Sequence, residues 1–287
     1  MSFSNVLIVP NVEKKGIADA VYHLIRFLNE RKVSHFLLSE DADKLSIDVP
    51  IIESPHLEEI DLAVILGGDG TMLYAVDLLW GKKIPLIGLN IGKLGFLTAG
   101  EIHQMEELLD NVFSGHYCIS ERIGVGCTLR DDHSKSYRAI NEIVVGKLMR
   151  ERLIHLSTYI NGEFFMKYSG DGLIFSSATG STAYSLSAGG PIVTPELKCF
   201  LLTPICAHML FSRPMVMDIK DIITVCIEEK PQRVALSIDG RREVEVPPGT
   251  SIDFYAHDEP ISIIEVENFS FYRTVTRKFL NFSGSGR

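Results

Sequence analysis

The apolar run Leu62-Ala63-Val64-Ile65-Leu66 ends in Gly67-Gly68-Asp69-Gly70-Thr71, and Met72, Leu73, Val76 and Leu79 then recur at helical spacing as far as Trp80. A short apolar run bounded by glycine reads as a buried strand. The segment is therefore strand, glycine turn, helix. Such a turn aims free backbone N–H groups and a positive helix end at whatever lies above it, which suits phosphate. Glycine lets the backbone come close to such a ligand, so Gly67, Gly68, Gly70 and Thr71 are candidate phosphate-binding positions. Asp69 does not belong in a pure anion cradle, because a carboxylate repels phosphate. Two readings of it stand. It caps the helix N-terminus, or it serves phosphoryl transfer by taking a proton from an attacking hydroxyl or holding a metal ion.

Strand and helix alternate on both sides of this turn. Asn5–Val9 and Val33–Leu38 read as strands, with Ile17, Val21, Leu24, Ile25 and Leu28 along one helical face between them. The polar stretch Ser39–Asp48 is expected to be a loop. Ile84–Gly88 reads as a further strand, and Met105, Leu108, Leu109 and Val112 mark a helix that stops near Gly115. This alternation predicts a parallel α/β domain over residues 1–118. From Tyr117 the segments are short, rich in Val, Ile, Thr and aromatics, and separated by turns. Leu153–Ile160, Asn161-Gly162 and Glu163–Tyr168 form a hairpin signal. Ile222–Ile227, Val234–Ile238, Val244–Val246 and Ile261–Val266 read as later strands. Residues 119–268 are thus expected to form a mainly β sandwich, with Ser176–Gly190 a loop holding a short helix.

Composition narrows the partners. A net charge of -9 over 287 residues argues against nucleic acid as the partner, whose binders are usually basic. Five scattered cysteines, none in C-x-x-C, suggest reduced thiols and a cytoplasmic protein. The start of the chain lacks the pattern of a signal peptide. The longest apolar stretch, Phe200–Phe211, is broken by Pro204 and His208 and is too short to span a bilayer, so no membrane association is expected. The P-loop, the G-x-G-x-x-G fingerprint, H-E-x-x-H and the G-x-S-x-G elbow are all absent.

The remaining candidates are distributed. Asn141-Glu142 pairs an amide with a carboxylate, which together can read a base edge and a ribose diol, or form an ordinary polar loop. Gly170-Asp171-Gly172 holds a second acid between glycines, a pattern most often found in plain turns. Thr179 to Ser187 offers small hydroxyl residues at a helix start, suited to phosphate and ribose oxygens or to simple capping. Phe96 and Tyr184 can stack on a flat ring or join the core, and Arg152 can pair a phosphate or stay solvated.

Taken together, Gly67–Thr71, Asn90 with Gly95-Phe96-Leu97, Asn141-Glu142, Gly170-Asp171-Gly172, Thr179–Tyr184 and Gly189-Gly190-Pro191 resemble the NAD kinase family, in the family's order and over most of the chain. Gly-Gly-Asp-Gly alone is shared with diacylglycerol-type lipid kinases, sphingosine kinases and phosphofructokinases; the Thr-Gly-Ser-Thr-Ala-Tyr stretch and the Asn-Glu pair are the specific part. The resemblance implies an N-terminal Rossmann-like α/β domain with a C-terminal β-sandwich domain, and a tail, 269–287, that returns to the first. It implies phosphorylation of the adenosine-ribose 2′-hydroxyl of NAD, giving NADP. ATP, or in some members polyphosphate, is the donor, with a divalent ion such as Mg²⁺ held mainly by the ATP phosphates and no protein metal ligands. Asp69 matches the family's proposed general base. Asp69, Gly70, Phe96, Asn141, Glu142, Arg152, Asp171, Thr179, Thr182, Ala183, Tyr184, Ser185, Leu186 and Ser187 match NAD-contacting positions. A homodimer or homotetramer is implied as well. The chain departs from the family's pattern at Ser169, at Ala207, at Arg241, where a glutamine contact is usual, and in its loosely matching tail. The alternatives are a diacylglycerol-type lipid kinase and a nucleotide sensor that has lost catalysis.

Overall fold

A computed structural model describes residues 3–92, 95–148, 153–209, 212–229, 233–266 and 270–283, without the side chains of 54–55 and 279–283. In chain order the elements begin with β1 (Asn5–Pro10), α1 (Ile17–Glu30), β2 (Ser34–Leu38), α2 (Ser39–Leu45), β3 (Ile51–Ile52), β4 (Leu62–Leu66), α3 (Asp69–Leu79) and β5 (Leu86–Asn90). They continue with β6 (Gly100–Glu101), α4 (Met105–Phe113), β7 (Tyr117–Arg122), β8 (Val125–Leu129), β9 (Asp132–Ala139), β10 (Glu142–Lys147), β11 (Ile154–Ile160) and β12 (Glu163–Gly170). After β13 (Gly172–Ser177) come α5 (Tyr184–Ser187), β14 (Cys199–Ile205), β15 (Met215–Asp218), β16 (Ile223–Ile227), β17 (Val234–Ile238), β18 (Arg242–Val246), β19 (Ser251–Ala256), β20 (Ile261–Val266) and α6 (Phe271–Ser283).

The chain divides into two compact units, Met1–Glu121 with Ile261–Arg287, and Arg122–Pro260. The first holds a sheet of order β3-β2-β1-β4-β5-β20-β7, with β6 paired to β5. Strands β1 to β5 run parallel. All five residues of β4 are buried, which explains its unbroken apolar run: a parallel strand covered on both faces has no polar side to show. The order reverses direction between β1 and β4. In such sheets ligands bind beyond the carboxyl ends of the strands at that switch point, and the Gly67–Gly70 turn leaves β4 there. Backbone bonds close this end of the sheet, from Asn11 N–H to the Leu66 carbonyl at 2.8 Å and from Gly67 N–H to the Leu89 carbonyl at 2.9 Å.

Two expectations need correction here. Ser39–Leu45 is helix α2, not a loop: polar though it is, it buries Asp41 and Ala42, and Leu45 packs against the core. Ile261–Val266 does not join the sandwich. It pairs parallel to β5, with Ile263 opposite Leu86, and buries Ile264 and Val266 in the first unit's core.

The second unit is two six-stranded sheets, β15-β14-β13-β10-β17-β18 and β12-β11-β16-β19-β8-β9. Their inner faces share one apolar core, where the rings of Phe175 on β13 and Phe254 on β19 stack with centroids 3.7 Å apart. The β11–β12 hairpin turns on Asn161 and Gly162, at φ 52° and 86°. A two-residue turn matched to strand twist needs positive φ at both positions, and this dipeptide is the pair that adopts it most readily. Among the described residues no helix is long and apolar enough to cross a membrane.

Candidate active site

In the first unit the site is built on Asp69, the first residue of α3. Helix α3 is preceded by Gly68, with no side-chain cap bond, so the N-cap reading of Asp69 fails. Its carboxylate turns instead to the segment after β5. Oδ2 accepts from Phe96 N–H at 3.0 Å and Oδ1 from Leu97 N–H at 2.9 Å. Lys278 of α6 places Nζ 3.6 Å from Oδ2. Two glycines around the acid have a steric reason. A Cβ on Gly67 would sit 2.2 Å from Thr71 Oγ1, and one on Gly95 would sit 2.0 Å from Asp69 Oδ1. A Cβ on Gly70 would meet nothing within 4 Å, so the first turn of α3 is open on that side. Thr71 is buried. Phe96 is half-buried, with Lys278 Nζ over its ring at 3.9 Å.

The second unit gathers Asn141, Glu142, Thr179 and the Thr182–Ser187 segment. Asp239 organises them. Its Oδ1 accepts from Asn141 N–H at 2.8 Å and Glu142 N–H at 3.0 Å, and its Oδ2 from Ile140 N–H at 2.9 Å. Ser177 ties the next segment in: its hydroxyl donates to the Ile140 carbonyl and accepts from Gly180 N–H at 3.0 Å. A Cβ on Gly180 would lie 2.1 Å from the Asn141 carbonyl oxygen, so only glycine allows the two segments to meet.

Glu142 is buried, and burial, reinforced by the neighbouring Asp239 charge, pushes its carboxyl up to about 8, although Tyr184 N–H donates to it. Its Oε2 has no hydrogen-bond partner, nor has the buried hydroxyl of Thr179. Buried polar atoms normally find partners, so these two are candidates to bind polar groups of a ligand. Ring-bearing Tyr184 is exposed, whereas Ser185 is buried and shares a 2.8 Å bond with Thr203 Oγ1. Thr182 Oγ1 donates to the Thr179 carbonyl at 3.4 Å, and Ala183 N–H to the Gly180 carbonyl at 2.9 Å. Leu186 and Ser187 complete α5.

The raised Glu142 carboxyl has a measurable consequence. Its folded pKa lies above its ordinary value of 4.5, so the folded state holds the proton more tightly. This group therefore lowers stability as pH rises from about 4.5 to about 8, by up to roughly 1.4 kcal/mol per pH unit. Glu142→Gln is expected to melt higher than the parent at pH 8, with the gap closing by pH 5. Parallel melting curves across that range would contradict it.

Asp171 stands apart from this group. It follows β12 and forms an ion pair with Lys147 at the end of β10. In the β10–β13 pairing Glu142 opposes Ser176 while Gly146 opposes Gly172. Asp171 thus lies about five residues, roughly 17 Å, along the sheet from Glu142. Arg152 lies outside the described residues. The sequence pattern singled out neither Asp239 nor Lys278. The Asp239-Gly240 pair was the visible signal for the first, and nothing local marked the second.

Comparison with known proteins places the chain in a family. Residues 6–117 match the ATP-NAD kinase N-terminal domain and residues 140–266 the ATP-NAD kinase C-terminal domain. The chain belongs to the NAD kinase family. The NAD kinase of Natranaerobius thermophilus is 31% identical over 277 residues, 96% of this chain and 97% of its own length. That of Moorella thermoacetica is 35% identical over 271 residues, 94% and 87% of the two chains. Among solved structures, yeast NADH kinase complexed with NADH superposes with a TM-score of 0.91 at 27% identity, covering 100% of this chain and 90% of its own. An Archaeoglobus fulgidus NAD kinase in complex with ATP gives 0.76 at 26% identity, covering 96% and 98%. As a family member the chain is an enzyme of the phosphotransferase class, which sets aside the lipid-kinase alternative.

Proposed function

We propose that this NAD kinase family member transfers the γ-phosphoryl group of ATP to the 2′-hydroxyl of the adenosine ribose of NAD. The observation that carries the reading is the carboxylate of Asp69, fixed by two backbone N–H groups at the start of α3 and at the switch point of a parallel sheet. In the reaction the 2′-oxygen bonds to the γ-phosphorus as the bond from that phosphorus to the β-bridging oxygen breaks. ADP leaves, and the hydroxyl proton passes to Asp69. A carboxylate is a weak base toward an alcohol, so most of the acceleration comes from positioning. The N–H groups of Gly68–Gly70, at the start of α3, are the ones offered to the donor phosphates, since that of Gly67 is bonded to the Leu89 carbonyl. Glu142, Thr179 and Asn141 hold the nucleoside through ribose hydroxyls and base edge, with Tyr184 offering a ring face.

The divalent ion enters as Mg·ATP. Among the described residues no group of three or more His, Cys, Asp or Glu side chains is arranged to hold a metal, and both Asp69 oxygens already accept N–H bonds. In this reading the ion belongs to the substrate, held mainly through the ATP phosphates.

The test offers the purified protein Mg·ATP with either NAD or diacylglycerol vesicles. NADP, read through an NADP-specific dehydrogenase, is expected with the first and no ATP consumption with the second. Lipid phosphorylation without NADP would overturn the reading. Tight NAD binding without turnover would leave the sensor alternative in its place.

A further inference from the structure

Helix α6 carries Phe271 and Lys278, seven residues apart and so on one helical face. Phe271 meets Phe96 with ring centroids 6.4 Å apart. Lys278 Nζ lies 3.9 Å from the centre of the same ring and 3.6 Å from Asp69 Oδ2. Arg277 beside it reaches Glu101 Oε1 at 3.4 Å. Helix α6 thereby packs on the segment whose N–H groups hold Asp69. Lys278 and Asp69 are only 29% and 35% exposed, so their attraction is less screened than that of an open surface pair.

The site contains an electrostatic conflict. The N-terminus of α3 attracts phosphate, whereas the Asp69 carboxylate in its first turn repels it. An ammonium within 4 Å of that carboxylate offsets the repulsion without removing the acid. Its seat over Phe96 fixes where the charge sits, because a cation is held over an aromatic face.

We propose that Lys278 is a positioning residue for phosphoryl transfer. It holds Asp69 and Phe96 in place and offsets the carboxylate charge that the incoming donor phosphates meet. The proposal rests on the reading of Asp69 as the base. A purely structural lysine would affect both substrates alike and in step with stability. A charge-offsetting one affects the donor.

The experiment compares Lys278→Met, which keeps chain length and removes charge, with Lys278→Arg, in the parent and in Asp69→Asn. Melting temperature, kcat and both KM values are read. Lys278→Met is expected to melt within about 2 °C of the parent, as for one partly exposed pair. Its KM for ATP should rise roughly tenfold, the scale of one charge-assisted contact, with KM for NAD unchanged and kcat reduced. Lys278→Arg should recover most of the ATP effect, and in Asp69→Asn the effect of Lys278→Met on that KM should shrink. An unchanged ATP KM in Lys278→Met would overturn the proposal. So would ATP and NAD KM values rising together in step with lost stability, or Arg performing no better than Met. The base reading fails separately, if Asp69→Asn keeps full kcat.

Discussion

Asp69→Asn is expected to lower kcat by about 10²–10⁴-fold, the usual contribution of a positioned general base. The substitution is nearly isosteric, yet it does more than remove a base. Phe96 and Leu97 each donate to a different oxygen of the carboxylate, and an amide keeps one acceptor oxygen while turning an NH₂ group toward the other donor. One backbone bond is lost, a cost of roughly 1–3 kcal/mol. The variant should therefore fold, melt a little lower, and bind NAD nearly as well as the parent. Full activity would remove Asp69 from the base role. Loss of folding would mean that the carboxylate is mainly a staple for the Gly95–Leu97 segment.

The largest expected loss of stability comes from Asp239→Ala. Asp239 is half-buried, and desolvation raises the pKa of its carboxylate while the three N–H groups of Ile140, Asn141 and Glu142 hold it down. Alanine leaves three donors at the start of β10 without their acceptor. The change also relieves Glu142 of a neighbouring negative charge, which works in the opposite direction. Three bonds to a charged acceptor outweigh one repulsion, so the net loss should be roughly 3–5 kcal/mol. In urea unfolding the midpoint should fall clearly, and KM for NAD should rise because Asn141 and Glu142 lose their frame. Asp239→Asn should fall between the two. A loss under about 1 kcal/mol for the alanine variant would show that water or another group satisfies those amides.

The architecture was legible where periodicity is strong. β4 followed by α3 reads directly from Leu62–Leu79, and the Asn161-Gly162 hairpin from two residues with a backbone preference few others share. Helix α2 was not legible, because seven mostly polar residues carry too little apolar pattern to outweigh their loop-like composition. β20 was legible as a strand but not as a member of the first sheet. A strand's sequence records how it is buried, not which neighbour it pairs with. The candidate site shows the same division. Residue types at the glycine turn and in the Thr179–Ser187 stretch point to phosphate and nucleoside chemistry. What fixes them comes from far along the chain: Asp239 beneath Asn141-Glu142, and Lys278 beside Asp69. The raised Glu142 carboxyl likewise depends on burial that no local pattern announces.

The most direct measurement is to incubate the protein with NAD and Mg·ATP and locate the new phosphate on the product by phosphorus and proton NMR. The account predicts one phosphate monoester on the 2′-oxygen of the adenosine ribose, formed in step with ADP, and no product from an NAD analogue lacking that hydroxyl. A phosphate at any other position, or turnover of the 2′-deoxy analogue, would contradict it.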